Sequence, residues 1–259
     1  MLAILLYHGV DSGEQWERNL DAIDREYVLS RARFEQHLQF LATRRILISP
    51  LAQSTEQDGS RLHVALSFDD GDVSGYTTAA PLLEHHGFRG DFFIVTQWIG
   101  RPGFMTAAHL RDLAARGHGI HSHSRSHRRL PDLSRPEIDD ELAGSKADLE
   151  QVLGKSVHYF SIPGGAYDDR VAQSAVRAGY GGVLNSVEGY NDPATPILRR
   201  FTARSYTNAA TLAGICEWPR YTAARVAFKR TALAAARQVM GARGYERLRK
   251  RTVSRWLGR

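Results

Sequence analysis

Short apolar segments alternate with amphipathic helical segments along most of the chain. The apolar segments predict strands at 2–7, 62–68, 91–95, 118–122, 157–161, 182–185 and 198–203. The helical segments lie between them, at 30–44, 76–86, 106–116, 134–153 and 168–178. Because repeated strand–helix units form a parallel sheet covered by helices, the chain is predicted to be an α/β protein.

Two pairs of polar residues follow predicted strands. Asp69 and Asp70 come directly after one strand, and His123 and His127 follow another. Asp and His are zinc ligands, and three protein ligands leave one coordination position for water. A further carboxylate beside the metal can act as a general base. An Asp-Asp-Gly turn or a His-x3-His pair is a weak signal by itself, but their shared position after strands predicts a hydrolytic metal site.

Three segments resemble the motifs of a known family. Residues 66–71 (Leu-Ser-Phe-Asp-Asp-Gly), 117–127 and 160–167 are similar to the first three motifs of the polysaccharide deacetylase (NodB-homology) family, of carbohydrate esterase type. The resemblance covers about residues 1–205. It implies an α/β fold of the family's kind, a distorted (β/α)7–8 barrel. A doubly wound open sheet is the alternative, although the sequence has no Gly-x-Gly-x-x-Gly loop.

The resemblance also implies roles for the polar residues. Asp69 is the implied general base, and Asp70, His123 and His127 are the implied ligands of a divalent metal. His121 is an alternative ligand, but His123 has the motif's spacing from His127. The implied metal is Zn²⁺, with Co²⁺ or Ni²⁺ as alternatives.

The third motif departs from the family pattern at two positions. Many members carry an Arg where Ser161 stands, and that Arg orients the base. Asp69 is therefore predicted to be held less strictly, or to be tuned by another group. Gly164 replaces an aromatic residue but keeps the backbone N–H that an oxyanion donor needs. Pro163 and Tyr167 of the same motif are the implied substrate contacts.

A second departure concerns the general acid. The family's last motif, a His near the end of the domain, is absent, because no His occurs after His158. The opening run, which ends in Tyr7-His8-Gly9, is similar to the first strand of deacetylases with circularly permuted motifs. In a barrel the first and last strands are neighbours. His8 is therefore the predicted acid, and the alternative is that it only ends a buried strand.

These roles predict a metal-dependent hydrolase that removes an N-acyl group, above all N-acetyl, from an amino sugar. The expected partner is an N-acetylated glycan, either a polysaccharide or a lipid-linked sugar. Two alternatives remain open. The missing Arg and His favour a carbohydrate-binding protein with weakened catalysis. The basic C-terminal region favours a peripheral membrane component of a glycan-biosynthesis assembly.

Charge is distributed unevenly along the chain. Residues 220–259 contain twelve Lys and Arg and one Glu, a net of +11, which leaves −5 for residues 1–219 of the chain's +6. We therefore predict a catalytic domain at 1–219 and a basic helical extension at 220–259. Basic amphipathic helices with apolar anchors, here Trp256 and Leu257, suit an anionic membrane surface. A helical hairpin packed on the barrel is the simpler alternative, and nucleic acid is disfavoured because stacking aromatic residues are few.

Other features bear on location. The single cysteine, Cys216, excludes an intramolecular disulfide. No basic leader precedes the first apolar run, and no segment approaches the length of a membrane span. The expected location is cytoplasmic, at the inner face of the membrane if the basic extension binds lipid.

Overall fold

The structure, a computed structural model, describes residues 1–11, 24–54, 62–192, 195 and 197–232. The strands are β1 (Leu2–Tyr7), β2 (Val10–Asp11), β3 (Leu29–Ser30), β4 (Leu47–Ile48), β5 (His63–Phe68), β6 (Asp91–Ile94), β7 (Gly119–Ser122), β8 (Tyr159–Ser161), β9 (Gly182–Leu184), β10 (Ile197–Leu198) and β11 (Phe201–Thr202). The helices are α1 (Arg31–Thr43), α2 (Leu51–Ser54), α3 (Ala80–His85), α4 (Ala107–Ala115), α5 (Arg135–Asp139), α6 (Ser145–Leu153), α7 (Asp169–Arg177), α8 (Ala209–Glu217) and α9 (219–232).

The main sheet is parallel and curls on itself. Its order is β10-β9-β8-β7-β6-β5-β1-β11, and β4 pairs beside β5. The end strands β10 and β11 are separated in sequence only by Arg199 and Arg200. Since three Cα steps span at most about 11 Å, the two edges of the sheet must meet. The predicted α/β fold with a distorted barrel is confirmed, and β1 lies beside the last strand.

The two faces of the sheet pack in different ways. Successive side chains of a strand point to opposite faces. One face packs against the helices in the larger core, which includes Leu5, Phe92 and Phe160. The other face lines the barrel interior. With Leu51 of α2, its side chains form a separate apolar cluster of Leu2, Ile4, Ala65, Phe93, Tyr159, Leu184 and Leu198. Counting onward in steps of two along the same strands places the following side chains on this inner face: His8, Asp69, Ser161 and Arg200. His121 pairs with Phe93 of this cluster, so His123, two residues later, lies on the same face.

Local sequence signals set several of the predicted helix boundaries. The Ser30 hydroxyl accepts the Arg33 N–H at the start of α1. Ser134 and Glu137 form the expected capping box at the start of α5. Gly154 ends α6 in the left-handed conformation, with φ of 66°. The predicted continuous helix at 134–153 is wrong in one respect, because a π-helical turn at Asp140–Gly144 separates α5 from α6.

The strand predicted at 198–203 is also wrong. It is two short strands, β10 and β11, which lie on opposite edges of the sheet. The change of edge occurs at Arg199 and Arg200, where Arg200 N–H donates to the Val187 carbonyl at 3.0 Å. The sequence pattern of a strand contains no signal that β10 and β11 pair with different strands, because the alternation of side chains between the two faces continues through both.

The C-terminal extension starts with a helix that is attached to the barrel. The α9 helix begins one residue before the predicted boundary. The Thr222 hydroxyl donates to the Gly214 carbonyl at 2.6 Å, and Val226 packs against the core. The prediction for the rest of the extension, including Trp256 and Leu257, falls outside the described residues. Within the described ranges, no helix is long and apolar enough to cross a membrane.

Candidate active site

Three side chains converge at the C-terminal ends of β5 and β7. Asp70, His123 and His127 each offer one ligand atom, and these atoms lie within 4.8 Å of one another. The Nε2 atoms of His123 and His127 are each 3.4 Å from Asp70 Oδ1. His121 lies outside this group, since its Nε2 atom is 3.1 Å from Asp91 Oδ1. The structure therefore brings together the three residues that the sequence predicted as ligands.

The environment of Asp70 fits a bound cation. Its Oδ1 atom is buried and has no hydrogen-bond partner among the described residues. An ionised oxygen buried without a partner is costly, so such a group is normally paired or binds a metal. One carboxylate oxygen and two imidazole nitrogens form a zinc-type donor set that leaves a further position open. The residues at this site therefore fit a divalent metal.

The orientation of His123 is set by a backbone contact. Its Nδ1 atom lies 2.8 Å from the Ser161 carbonyl oxygen, at the end of the neighbouring strand β8. Because a carbonyl can only accept, Nδ1 carries the proton and Nε2 is left as an acceptor toward the ligand cluster. A hydrogen bond of this kind fixes the tautomer and the ring plane of a metal-binding histidine.

The backbone of the cluster adopts an uncommon conformation. Asp70, Ser124 and His127 all have positive φ, at 75°, 65° and 63°. Outside glycine, such residues cost roughly 1–3 kcal/mol each and concentrate at functional sites. The Ser124 hydroxyl accepts the His127 N–H at 3.1 Å, which supports the turn between the two histidines. This turn places both imidazoles beside the same carboxylate.

The buried carboxylate of Glu141 accepts hydrogen bonds from the turn between His123 and His127. Glu141 is 3% exposed and lies in the π-helical turn at 140–144. Its Oε2 atom accepts the backbone N–H groups of Arg125 and Ser126, both at 2.9 Å, and Oε1 accepts the Ser126 hydroxyl. Short π-helical turns inside helices are frequent at functional sites. Here the π-helical turn places the Glu141 carboxylate against the segment that joins His123 to His127.

We expect Glu141→Gln to weaken metal binding by about 10–100-fold, the usual effect of losing a partner that supports the ligands. The amide nitrogen of Gln cannot accept, so one of the loop's donors would lose its acceptor. The measurement is metal affinity by competition with a chromogenic chelator. Asp140→Asn is the matched control, because Asp140 is exposed and pairs with the Arg125 side chain rather than with the backbone of the turn. Equal affinity of the Glu141 variant and the control would contradict the assignment.

Asp69 is held by a residue that the sequence analysis missed. The Arg200 guanidinium donates to both carboxylate oxygens of Asp69, at 2.7 and 2.8 Å, and the Ser161 hydroxyl donates at 3.0 Å. Arg200 is fully buried, and it also donates to the Asn185 carbonyl. The sequence predicted that Asp69 is either held less strictly or tuned by a group other than the missing Arg. The structure shows the second arrangement, with Arg200 as that group. The prediction of a loosely held Asp69 is wrong.

The electrostatics keep both carboxylates ionised. Burial by itself raises the pKa of Asp69, but the Arg200 guanidinium beside it outweighs burial and holds that pKa below its usual range. Burial also raises the pKa of Asp70, and the imidazoles of His123, His8 and His127 lower it well below its usual range. A carboxylate has about four acceptor positions. Arg200 and Ser161 occupy three on Asp69, so one remains for a proton from water.

His8 lies beside these carboxylates. Asp69 N–H donates to the Tyr7 carbonyl at 3.0 Å, which sets His8 level with Asp69 on adjacent strands. The His8 ring is 4.9 Å from the Tyr27 ring, and its Nδ1 atom is buried without a hydrogen-bond partner among the described residues. Burial lowers the pKa of His8, and the carboxylates of Asp70 and Asp69 offset that effect only in part. The acid role stays a prediction.

We expect His8→Ala to lower turnover of an N-acetyl amide by about 10²-fold, the lower end of the usual effect of a positioned acid. An acetyl ester with an activated leaving group should lose much less, because that leaving group needs no proton. The two rates are measured on the same metal-loaded preparation. Equal losses on both substrates would assign His8 a structural role and contradict the predicted permuted arrangement.

The remaining predicted residues follow β8. Pro163, Gly164 and Gly165 form a 3₁₀ turn, in which Gly164 is exposed with φ of 62°. Tyr167 is 41% exposed, whereas Pro163 is buried. Gly164 and Tyr167 are therefore accessible to a substrate. The proline ring is not, so Pro163 shapes the turn rather than forming a contact surface.

Comparison with known proteins agrees with this arrangement. A family model described as polysaccharide deacetylase matches residues 56–183. The matched segment comprises 128 of the chain's 259 residues, just under half. The predicted resemblance to the polysaccharide deacetylase family is confirmed. His8 and Arg200 lie outside the matched segment, so the family motifs by themselves do not include either residue.

Proteins similar to this chain include curated proteins and solved structures. It is 26% identical over 184 residues to YxkH of Bacillus subtilis (strain 168), named as a polysaccharide deacetylase, covering 69% of this chain and 62% of YxkH. It is 28% identical over 126 residues to the peptidoglycan-N-acetylmuramic acid deacetylase PdaA of the same organism, covering 48% of this chain and 46% of PdaA. The chain thus spans less than two thirds of each of these relatives.

The fold also matches a solved structure. The Streptococcus pyogenes deacetylase PplD, determined in complex with acetate, superposes with a TM-score of 0.74 at 20% identity. The match covers 83% of this chain and 97% of that chain. At this level of identity the likeness concerns the fold, and it agrees with the curled parallel sheet described above.

Proposed function

We propose that this protein is a metal-dependent N-deacetylase that hydrolyses the N-acetyl group of an amino sugar in a glycan. The observation that supports it most is the convergence of Asp70, His123 and His127 beside Asp69, whose carboxylate is ionised and fixed by Arg200. Relatives named as deacetylases of peptidoglycan amino sugars, in Bacillus subtilis and Bacillus cereus, support the choice of substrate class.

Each residue has a chemical task in this proposal. A divalent ion, proposed to be Zn²⁺, would supply Lewis-acid chemistry that polarises the acyl carbonyl and makes water more acidic. Asp69 accepts the proton of the attacking water. The Gly164 N–H donates to the oxygen of the tetrahedral adduct. His8 protonates the departing amine, and Tyr167 lies on the exposed turn where a sugar can contact it.

The binding-protein alternative is less well supported. A carbohydrate-binding protein with weakened catalysis was suggested by a missing Arg and a missing His. Arg200 donates to Asp69, which supports Arg200 in the role of the missing Arg. His8 is level with Asp69 on the adjacent strand, which supports the proposal that it replaces the missing His. A lipid-linked rather than polymeric substrate, Zn²⁺ rather than Co²⁺ or Ni²⁺, and a cytoplasmic location at the inner face of the membrane stay predictions.

Acetate release provides the test. The purified chain, loaded in turn with Zn²⁺, Co²⁺ and Ni²⁺, would be incubated with N-acetylglucosamine oligomers and with peptidoglycan fragments. We expect acetate from at least one of these glycans, and its loss with a chelator should be reversed by added metal. A metal-loaded, folded protein that binds a glycan and releases no acetate from any of them would favour the binding-protein alternative.

A further inference from the structure

The start of α9 carries large apolar side chains that the barrel does not cover. Trp218, Tyr221 and Phe228 are 65%, 69% and 76% exposed. Trp218, Tyr221 and Arg225 line one groove between α8 and α9. Phe228 follows at i+7 from Tyr221, so it lies on the same side of the helix. We call Trp218, Tyr221, Arg225 and Phe228 the aromatic–basic face. Contiguous exposed apolar side chains of this kind mark an interaction surface.

The orientation of this face is fixed by the side of α9 that contacts the barrel. Thr222 is 2% exposed and bonds to the Gly214 carbonyl, Val226 packs on the core, and Lys229 pairs with Glu188 at 3.1 Å. Thr222, Val226 and Lys229 are spaced i, i+4, i+7, so they lie on one side of the helix, where the Lys229 side chain remains exposed. The aromatic–basic face lies about 100° around the helix axis from this side, and it is presented on an anchored helix.

The segment that carries the face has charge of one sign. Residues 218–232 include the exposed Arg220, Arg225, Lys229 and Arg230 and no acidic residue. The neighbouring acids Glu188 and Glu217 are paired with Lys229 and Arg44. The net charge of +11 over residues 220–259 extends the same sign into the rest of the extension. Aromatic rings beside Arg and Lys are typical of protein surfaces that contact the interface of an anionic bilayer.

Other occupants agree less well with the contacts. In a symmetric dimer the same patch meets itself, which would bring Arg225 and its neighbours against like charges. A glycan needs free polar partners, yet the Asn208 side chain accepts the Thr211 N–H and the Thr222 hydroxyl is bonded to Gly214. We propose that the aromatic–basic face docks this protein on an anionic membrane surface, a function separate from hydrolysis.

The test uses the full chain and vesicles of two compositions, phosphatidylglycerol mixed with phosphatidylcholine, and phosphatidylcholine alone. We expect co-sedimentation with the acidic vesicles that weakens steeply as salt rises, because exposed charges are screened beyond a Debye length. The triple variant Trp218→Ser, Tyr221→Ser, Phe228→Ser should bind about tenfold more weakly or worse, and Arg225→Gln about fivefold more weakly. Val176→Ser is the matched control, since Val176 is 74% exposed on α7.

Point substitutions are preferable to truncation at residue 219, because that cut would remove Thr222 and Val226 from the packed part of the fold. Circular dichroism of each variant establishes that it is folded. If the wild-type protein does not co-sediment with acidic vesicles at low salt, the proposal is wrong. So would a triple variant that binds as well as Val176→Ser, since binding would then belong to residues 233–259. A dimer in lipid-free solution that the triple variant abolishes would assign the face to self-association instead.

Discussion

Replacing Asp69 with Asn is expected to lower turnover on an N-acetylated oligosaccharide by about 10²–10⁴-fold, the usual effect of removing a general base. The side chain keeps its shape, but an amide cannot take a proton from water. The divalent ion should remain bound, because the convergent ligand atoms belong to Asp70, His123 and His127. Steady-state kinetics and the metal content per chain after gel filtration measure the two effects separately.

Asp70→Asn is the matched comparison for Asp69→Asn. It removes the charged oxygen that lies 3.4 Å from both imidazoles, so we expect both the ion and the activity to be lost. Neutralising Asp69 leaves Arg200 buried without its partner, so both variants must first be shown to be folded. If Asp69→Asn lost the ion, the roles of the two carboxylates would be exchanged. If it kept full activity, the base would lie elsewhere.

Most of the fold could be predicted because its signals are local. Apolar runs with intervening amphipathic helices indicate a parallel sheet, and caps such as Ser30 and Ser134 mark where helices begin. The ligand cluster was predictable for a related reason. Asp70, His123 and His127 each follow a strand, and parallel strands deliver their C-terminal residues to one face of the sheet.

Arg200 could not be predicted in the same way. Arg199 and Arg200 are adjacent in what looks like a single strand, and sequence alone does not say which of them points inward. Arg200 points inward because it lies two residues after Leu198, which the structure places in the inner cluster, and the chain changes sheet edge between these strands. A weak signal was present, because an Arg two residues after the buried Leu198 would share its face, and a buried Arg needs a charged partner. Likewise, the π-helical turn that places Glu141 has no known local marker in the sequence.

Arg200→Met is expected to destabilise the protein by about 3–5 kcal/mol, the usual result of breaking a buried ion pair by removing one partner. Asp69 would remain buried but would lose the guanidinium that stabilises its ionised form. The pKa of Asp69 should therefore rise. Because the base acts when it is ionised, the acidic limb of the pH–rate profile should move to higher pH. Denaturant unfolding of the metal-free protein and rates between about pH 4 and 9 measure the two effects.

Two variants separate this role from a loss of packing. Arg199→Met removes the adjacent, exposed arginine and should change neither stability nor the pH profile appreciably. The double variant Arg200→Met, Asp69→Asn leaves no unpaired charge, so it should recover part of the stability lost by Arg200→Met, although it stays inactive. If the losses of the two single variants simply added, Arg200 would act as a packed side chain. An unshifted pH profile in Arg200→Met would show that another group sets the pKa of Asp69.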